Sequence, residues 1–525
     1  MNLPSRTSVL IVGGGPVGLA TAVELGTRGV DCVVLEPRVE PSTLRPRAKS
    51  SSVRTMEHFR RWGIADRIRE LAGVPVAWSQ ESVVCTHLLG PRITGFTDCF
   101  GLAPQRRPEF AESSQQVPQP VVERVLRERV ASLPSVTFAA GWKAESLKEY
   151  AEHVEVEAAG PDGAAHRITA AYAVGCDGSA GMTRTAIGAG LVGSSEGRTN
   201  LSVMFRSPGL AERVPHGPAV HYWVLNRISA GVFGRFDLAD TWWAGVAADG
   251  DGEPADLLAA LIGEPVDVEI LSVDRWTARM QIADRYQTDR VFLAGDAAHL
   301  NPPWGGHGYN TGVGDAVNIG WKLAATVQEW GGPGLLRSYE AERRAVAELT
   351  IAYTTANMSA MRGVAAAAGS DPATFGTAVR EAMDGEFHSL GLVLGYEYGT
   401  SPVVVDGSDA SPPELGVYVP SSRPGARLPH LWLDDGRSLY DALGNGLTLL
   451  RIDPGDAGDP MVSAAARRGI PLTVVDLADA DGPYSGESAL LVRPDQHVAW
   501  RASSRAVAAD AVLDRVLALA PKKFL

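Results

Sequence analysis

A short β-rich run at residues 8–12, apolar from Val9 onward, ends in a cluster of glycines, and apolar positions then recur at helical spacing (Leu19, Val23, Leu25) before a second run, 32–35, closes at Glu36. That order predicts strand, tight turn, helix and strand, the opening of a parallel α/β unit. Residues 135–159 alternate as strands, and 173–178 read as a buried strand ending in Asp177-Gly178. From about 200 to 274 the period changes to short aromatic and β-branched runs between polar turns, which predicts an inserted antiparallel sheet. A shorter β-rich stretch, 75–105, interrupts the α/β rhythm earlier. The run at 291–295 predicts another buried strand, stopping at Asp296. Residues 301–308 hold two prolines and three glycines and predict a shaped loop. From about Gly312 a helical pattern resumes with Val313, Val317, Trp321 and Leu323, and helical character extends over 331–398. Beyond a linker at about 401–413, residues 416–520 again alternate strands with helical or turn segments. The fold class is α/β with an inserted antiparallel sheet and a separate C-terminal α/β unit.

A chain of 525 residues is long enough for two or three cores. Its net charge of −13 argues against a nucleic-acid surface, because phosphate binding needs concentrated Lys and Arg. Cys32, Cys85, Cys99 and Cys176 lie far apart, with neither C-x-x-C nor zinc spacing, and read as reduced, packed thiols in a cytoplasmic protein; no metal site is expected. Residues 9–25 are apolar but carry four glycines, a proline and Glu24, so they are no signal peptide, and no other stretch is long enough to span a bilayer.

Gly13, Gly15 and Gly18, with Pro16 and Val17 between them, have the G-x-G-x-x-G spacing. With a strand before and a helix after, such glycines let the backbone approach a pyrophosphate at the helix N-terminus. Glu36, at the next strand end, is placed for an adenosine ribose. A second match, Gly188 to Gly193, follows a helical or loop segment and lacks a strand–acid pair; it reads as a flexible connection, leaving one dinucleotide site. Asp296 at a strand end suits a hydroxylated ligand. A helix starting just after the 301–308 loop would offer free N–H groups and a positive dipole end to it.

Residues 295–299 (Gly-Asp-Ala-Ala-His), Pro302-Pro303, Gly305-Gly306 with Gly308, Asn310 and Asp315-Ala316 with Asn318 together resemble the second FAD-binding motif of the class A flavoprotein aromatic hydroxylases, the family of para-hydroxybenzoate and phenol hydroxylases. The resemblance covers 5–350 well and the tail loosely. It implies a Rossmann-like FAD-binding domain (1–74, 106–190 and 275–398, with a helical extension), an inserted substrate-binding β-sheet domain (75–105 and 191–274) and a thioredoxin-like C-terminal domain (414–525). That last unit lacks C-x-x-C and is expected to pack or to make dimer contacts. By the same resemblance Arg38 and Arg47 lie near the cofactor pyrophosphate, Gln119 beside the ribityl chain, and Asp177 serves FAD and nicotinamide. Arg184 stands at the family's Arg position, whereas Gly181 replaces its usual Ser. Pro303, Gly308, Asn310, Thr311 and Gly312 belong to the cofactor-binding set, with N–H groups near 310–312 facing the flavin N1–C2=O region. Pro302, Trp304, Gly305 and His307 form the flavin-edge loop, with Trp304 shaping the pocket wall.

The chemistry implied is that of a monooxygenase. FAD, reduced by NADPH or NADH, reacts with O2 to a flavin C4a-hydroperoxide whose distal oxygen enters an aromatic, phenolic or polycyclic substrate. Epoxidation, Baeyer–Villiger oxidation and an oxygen-independent flavin reductase or dehydrogenase are the alternatives. Large members of the family often act on polycyclic natural products, and a homodimer is the expected assembly. No residue type singles out a base: His221, His299 and His307 are candidates, with His299 and His307 read as loop-shaping. Of the sheet aromatics Tyr222, Trp223, Phe233, Trp242 and Trp243, alternation turns about half toward a ligand.

Overall fold

The computed structural model describes residues 3–43, 48–226, 230–248, 252–364, 371–407, 414–452, 459–477, 483–502 and 507–519. The first apolar run forms the strand Arg6–Val12 at the centre of a seven-stranded sheet. It pairs in parallel with Cys32–Glu36 on one side and Ala165–Gly175 on the other, and these add Val136–Ala140 and Val291–Leu293, also in parallel. Val154–Ala159 and Lys143–Glu149 close one edge in antiparallel sense. Helix Pro16–Gly26 covers the sheet and packs on helix His307–Val327. Glycines set how close they come: a Cβ on Gly312 would lie 2.7 Å from Val17 Cγ2, and one on Gly320 2.5 Å from Glu24 Cγ.

The inserted sheet has eight strands, in the order His299–Leu300, Glu269–Ala283, Leu191–Arg206, Thr241–Ala248, Ala230–Arg235, His221–Leu225, Ser82–Cys85 and Arg92–Phe96. The β-rich runs within 75–105 thus join the far edge, Ser82–Cys85 pairing in parallel with His221–Leu225. Tyr222, Phe233 and Trp242 face an outer core beneath the helix Pro254–Ile262, which the sequence reading missed. Trp223 packs on the opposite side, with Phe387 of helix Pro372–Phe387. Gly193, in the second glycine match, lies inside strand Leu191–Arg206 and meets Met280 so closely that a side chain would overlap the Met280 carbonyl. The stretch is therefore a strand entry rather than a loose connection, and because it follows helix Met182–Ala186 it presents no helix N-terminus to a phosphate.

The C-terminal unit is a mixed four-stranded sheet, Leu472–Leu477, Leu447–Ile452, Ala489–Val492 and Val498–Arg501, with helices Asp459–Arg468 and Ala509–Val516. It is of the expected thioredoxin-like kind, yet it shares a core with the rest. Trp321, Ala325, Trp330 and Leu335 pack with Leu447, Leu449, Val512 and Leu513. The turn between its last two strands enters a buried ionic cluster. Arg493 donates to Glu342 Oε1 (2.6 Å) and Oε2 (2.8 Å) and to Asp495 Oδ2 (2.6 Å). Lys322 Nζ and Asn318 Nδ2 each reach Glu342 Oε2 at 2.7 Å. Arg54 donates to Gln496 Oε1 (2.6 Å) and the Asp495 carbonyl (2.7 Å), so this part of the Arg-rich stretch is a docking face.

All four cysteines are free, and burial drives the thiols of Cys32, Cys85 and Cys99 up to about 12. None is poised for redox chemistry. Among the described residues no helix is long and apolar enough to cross a membrane, and no group of metal-binding side chains occurs.

Candidate active site

Gly13, Asp177 and Asp296 follow, and Glu36 ends, parallel strands along the sheet's C-terminal edge. Gly13 turns with φ +102 and packs on the Cys176 carbonyl; Gly18 packs on the Gly13 carbonyl, and a side chain at either would overlap. Gly15 differs: as N-cap of helix Pro16–Gly26, with Pro16 as first residue, it has no atom within 4 Å of a Cβ position. That open helix N-terminus suits a pyrophosphate. Val17 packs beneath, against Gly295 and Gly312.

Glu36 is buried and closes on its own turn: Oε2 accepts from Gly14 N (2.8 Å), and Oε1 from Arg38 N (2.9 Å) and Nε (2.8 Å). Arg38 also faces Glu123 Oε2 at 3.7 Å, and Gln119 Nε2 donates to Glu123 Oε1 (2.7 Å). These side chains form one polar chain. Arg47 lies outside the described residues.

The Asp177 Oδ2 accepts from Thr183 N (2.9 Å) and Oγ1 (2.8 Å), while Oδ1 is buried with no partner. Gly181, where the family has Ser, lies directly against this carboxylate, and a Cβ there would overlap it. Thr183 supplies the hydroxyl instead. Arg184 spans to the carbonyls of Ala297 (3.1 Å) and Ser179 (2.7 Å), holding the two acidic turns together. Asp296 is exposed at the tip of the Gly295–Ala297 turn. An unpaired buried carboxylate oxygen, an open glycine and a free helix end fit a hydroxylated dinucleotide such as FAD.

Pro302 and Pro303 lead into Trp304–Gly306, where Gly305 (φ +69) and Gly306 (φ +67) take the left-handed conformation. The following helix begins at His307, earlier than the hydrophobic pattern indicated. The N–H groups outside the helical ladder are therefore those of 307–310, and those of Thr311 and Gly312 are already inside it. Gly308 is loosely surrounded, its nearest neighbour Asn301 Cβ at 3.8 Å from a Cβ position. Asn310 is fully engaged, accepting from Ser52 N (2.8 Å) and Thr55 Oγ1 (2.7 Å) and donating to Gly306 O (2.7 Å). It ties strand Ser50–Ser51 and the helix after it to the loop. Thr311 Oγ1 donates back to the His307 carbonyl (3.0 Å).

Beneath the loop lies Asp315, which sequence reasoning left in the motif without a role. Fully buried, it accepts from Gly295 N (3.0 Å) and Arg343 Nε (2.7 Å) and pairs with His299 Nε2 (2.8 Å). Burial pushes its carboxyl up, but Arg343 and His299 outweigh this and hold it below the usual range; Asp315 in turn holds His299 above its own despite burial. His299 is thus an anchored loop residue. His307 differs: Nε2 is buried without a partner, and burial pushes the imidazole down to about 4. Beside it the Gly305 N–H donates to Glu386, whose carboxyl burial raises to about 8 and whose Oε2 is unpaired. Glu386 belongs to a helix with no motif, so no sequence signal marked it.

Trp304 stacks on Trp223 with centroids 5.2 Å apart and planes 16° from parallel, so the loop meets the inserted sheet. Next to the stack, His221 lies 4.9 Å from Phe100 and 5.2 Å from Trp243, and Lys49 Nζ is 4.6 Å from the Trp243 ring centre. His221 Nδ1 and Trp223 Nε1 are buried without partners. Lys49 escaped the sequence reading because only the arginines of its stretch fitted a motif.

The sequence matches the family described as FAD binding domain over residues 6–354, and that of the aromatic-ring hydroxylase C-terminal region over 421–520. The chain belongs to the FAD-dependent aromatic-ring hydroxylases. Like other oxidoreductases of this family, it uses FAD. The FAD-dependent monooxygenase apdD of Emericella nidulans is 32% identical over 99% of this chain and 91% of its own length. The rebeccamycin biosynthetic enzyme RebC, solved with reduced flavin, superposes with a TM-score of 0.90 at 30% identity, covering 99% of this chain and all of its own. A ternary complex of aklavinone-11 hydroxylase with FAD and aklavinone gives 0.85 at 28% identity, covering 99% and 100%. This hydroxylase has the RebC-like architecture throughout, C-terminal unit included.

Proposed function

We propose that the hydroxylase is a cytoplasmic, homodimeric monooxygenase that consumes NAD(P)H and O2 to place one oxygen atom on an aromatic ring held beneath the inserted sheet. The balance is ring C–H plus O2, NAD(P)H and a proton, giving ring C–OH, water and NAD(P)+. Bound FAD would take the hydride and activate the oxygen. The chain's own residues bind and orient. Gly13, Gly15 and Gly18, with Pro16 and Val17, carry the pyrophosphate and Arg38 lies near it; Glu36 takes the adenosine ribose; Gln119, Asp177 and Asp296 hold the ribityl side. Pro302, Pro303 and Gly308 fix the loop beside the ring, and N–H groups at the start of His307–Val327 stabilise negative charge there. The cofactor division holds the FAD, the inserted sheet roofs it, and the C-terminal division braces both.

The observation that carries this reading is the Trp304–Trp223 stack, which closes the cofactor loop against an aromatic face of the inserted sheet. A ring entering there meets apolar walls that exclude water from the reacting atoms. The test is incubation with NADPH and 18O2 across simple phenols and polycyclic quinones, read by mass spectrometry. One labelled atom per product molecule supports the proposal. Hydride transfer to the flavin without oxygen uptake overturns it in favour of a reductase.

A further inference from the structure

Among the described residues, Lys49 is a cation without a counter-charge: its ammonium meets the Trp243 ring and no carboxylate, whereas Lys322, the buried lysine of the ionic cluster, pairs with Glu342 at 2.7 Å. Its backbone is held on both sides: the Lys49 carbonyl accepts from Val117 N (2.9 Å), and the neighbouring Ser50 Oγ lies against Gly306 of the cofactor loop. The residue keeps partial exposure, so Lys49 is not sealed within the fold. His221 and Trp223 come from one strand of the inserted sheet and Trp243 from the next but one, with Ala230–Arg235 between them; His221 contacts the Trp243 and Phe100 rings, and Trp304 stacks on Trp223, so the ammonium over Trp243 borders an aromatic group. Two polar atoms of this group, His221 Nδ1 and Trp223 Nε1, are buried and unused. Burial and the neighbouring Lys49 keep His221 neutral, so its imidazole has one N–H to give. Holding an unpaired cation and idle donors among aromatic rings costs folding free energy. A flat ligand bringing a negative oxygen would satisfy them together.

We infer that Lys49 and His221 form an oxyanion subsite, and that the acceptor is an aromatic ring bearing an ionised oxygen, phenolate or ring carboxylate, seated at Lys49 Nζ. The inference deepens the monooxygenase reading and relies on it for the place of the ring beside the cofactor loop. Burial lowers the Lys49 ammonium to about 8, and an arriving anion offsets that cost.

The test is equilibrium binding of 4-nitrophenol, 4-nitrobenzoate and the uncharged 4-nitroanisole to the FAD-loaded enzyme, followed by flavin absorbance and tryptophan quenching. At least one anion binds about tenfold or more tightly than the ether, the size expected of a charge-assisted contact. Comparing the two anions tells phenolate from carboxylate. In Lys49→Met the preference disappears while FAD content is retained; Lys49→Arg keeps most of it. Removing an unpaired cation leaves the melting temperature of Lys49→Met unchanged or higher. Ether binding as tight as that of both anions, an undiminished preference in Lys49→Met, or a lower melting temperature would each overturn the subsite. The labelled-oxygen assay reads a different event, so each proposal can fail while the other stands.

Discussion

Helix His307–Val327 carries a buried polar region at each end, and the two are built on opposite terms. Toward its C-terminus, Asn318 and Lys322 donate to Glu342, as Arg493 does, and both oxygens of Glu342 are taken by donors. Toward its N-terminus, His307 Nε2, Glu386 Oε2, His221 Nδ1 and Trp223 Nε1 are buried with no partner. Folding free energy alone selects against the second arrangement, since each such group forfeits hydration without recompense. The carboxylates and cations of the first region are paired, although Asn318 Oδ1, Gln496 Nε2 and His497 Nε2 lack partners there too; in the second region the unpartnered groups border the cofactor loop, where a ligand can take them up.

Arg493→Met should break the first region hardest. Glu342 and Asp495 would be left as buried carboxylates short of a cation, costing about 3–5 kcal/mol. Denaturant unfolding of the FAD-loaded protein measures it; a loss below about 1 kcal/mol would put the cluster on a par with surface pairs. Gly181→Ala intrudes on Asp177 and should cost about 1–3 kcal/mol by overpacking, with weaker FAD retention on ultrafiltration. Unchanged stability and retention would show that Thr183 and Asp177 shift freely.

The two ends should also part in their pH dependence. His307 is held down to about 4 from 6.5, so below 6.5 the unfolded chain takes up a proton that the fold refuses. Stability then falls as pH drops from 6.5 toward 4, by about 1.4 kcal/mol per pH unit for this histidine. His307→Gln should flatten that limb by the same amount in unfolding curves at stepped pH. For His299, raised by Asp315, the sign reverses: its contribution is present at low pH and is lost as pH rises through its folded value. Trp304→Ala should leave stability nearly unchanged, because Trp304 is only partly buried, and should instead alter the product profile; identical products would release it from the pocket wall.

The cofactor edge was legible in the sequence because its signals are local. Glycines at Gly13 and Gly18 stand where the backbone touches itself, and Glu36 ends its strand in register with Ala140. The start of the following helix was displaced because left-handed Gly305 and Gly306 run directly into it and hide the cap. Alternation foresaw that the sheet aromatics divide between faces, and the Trp304–Trp223 stack shows one side of that division. What the sequence concealed were partnerships between single residues far apart, such as Asp315 with Arg343, Glu342 with Arg493 and Gly305 with Glu386. A lone charge has no period, and which distant charge meets it is decided only when the elements pack.

The Arg493–Glu342 bond carries one more consequence, in the order of events during synthesis. Its partners are 151 residues apart, an interval of roughly 8–30 s on a translating ribosome. Throughout that interval the cofactor sheet can form, while Glu342 and Lys322 wait for a cation and a turn not yet made. Until that turn arrives Glu342 lacks the guanidinium that completes its pairing, so closure of this cluster is a late step of synthesis.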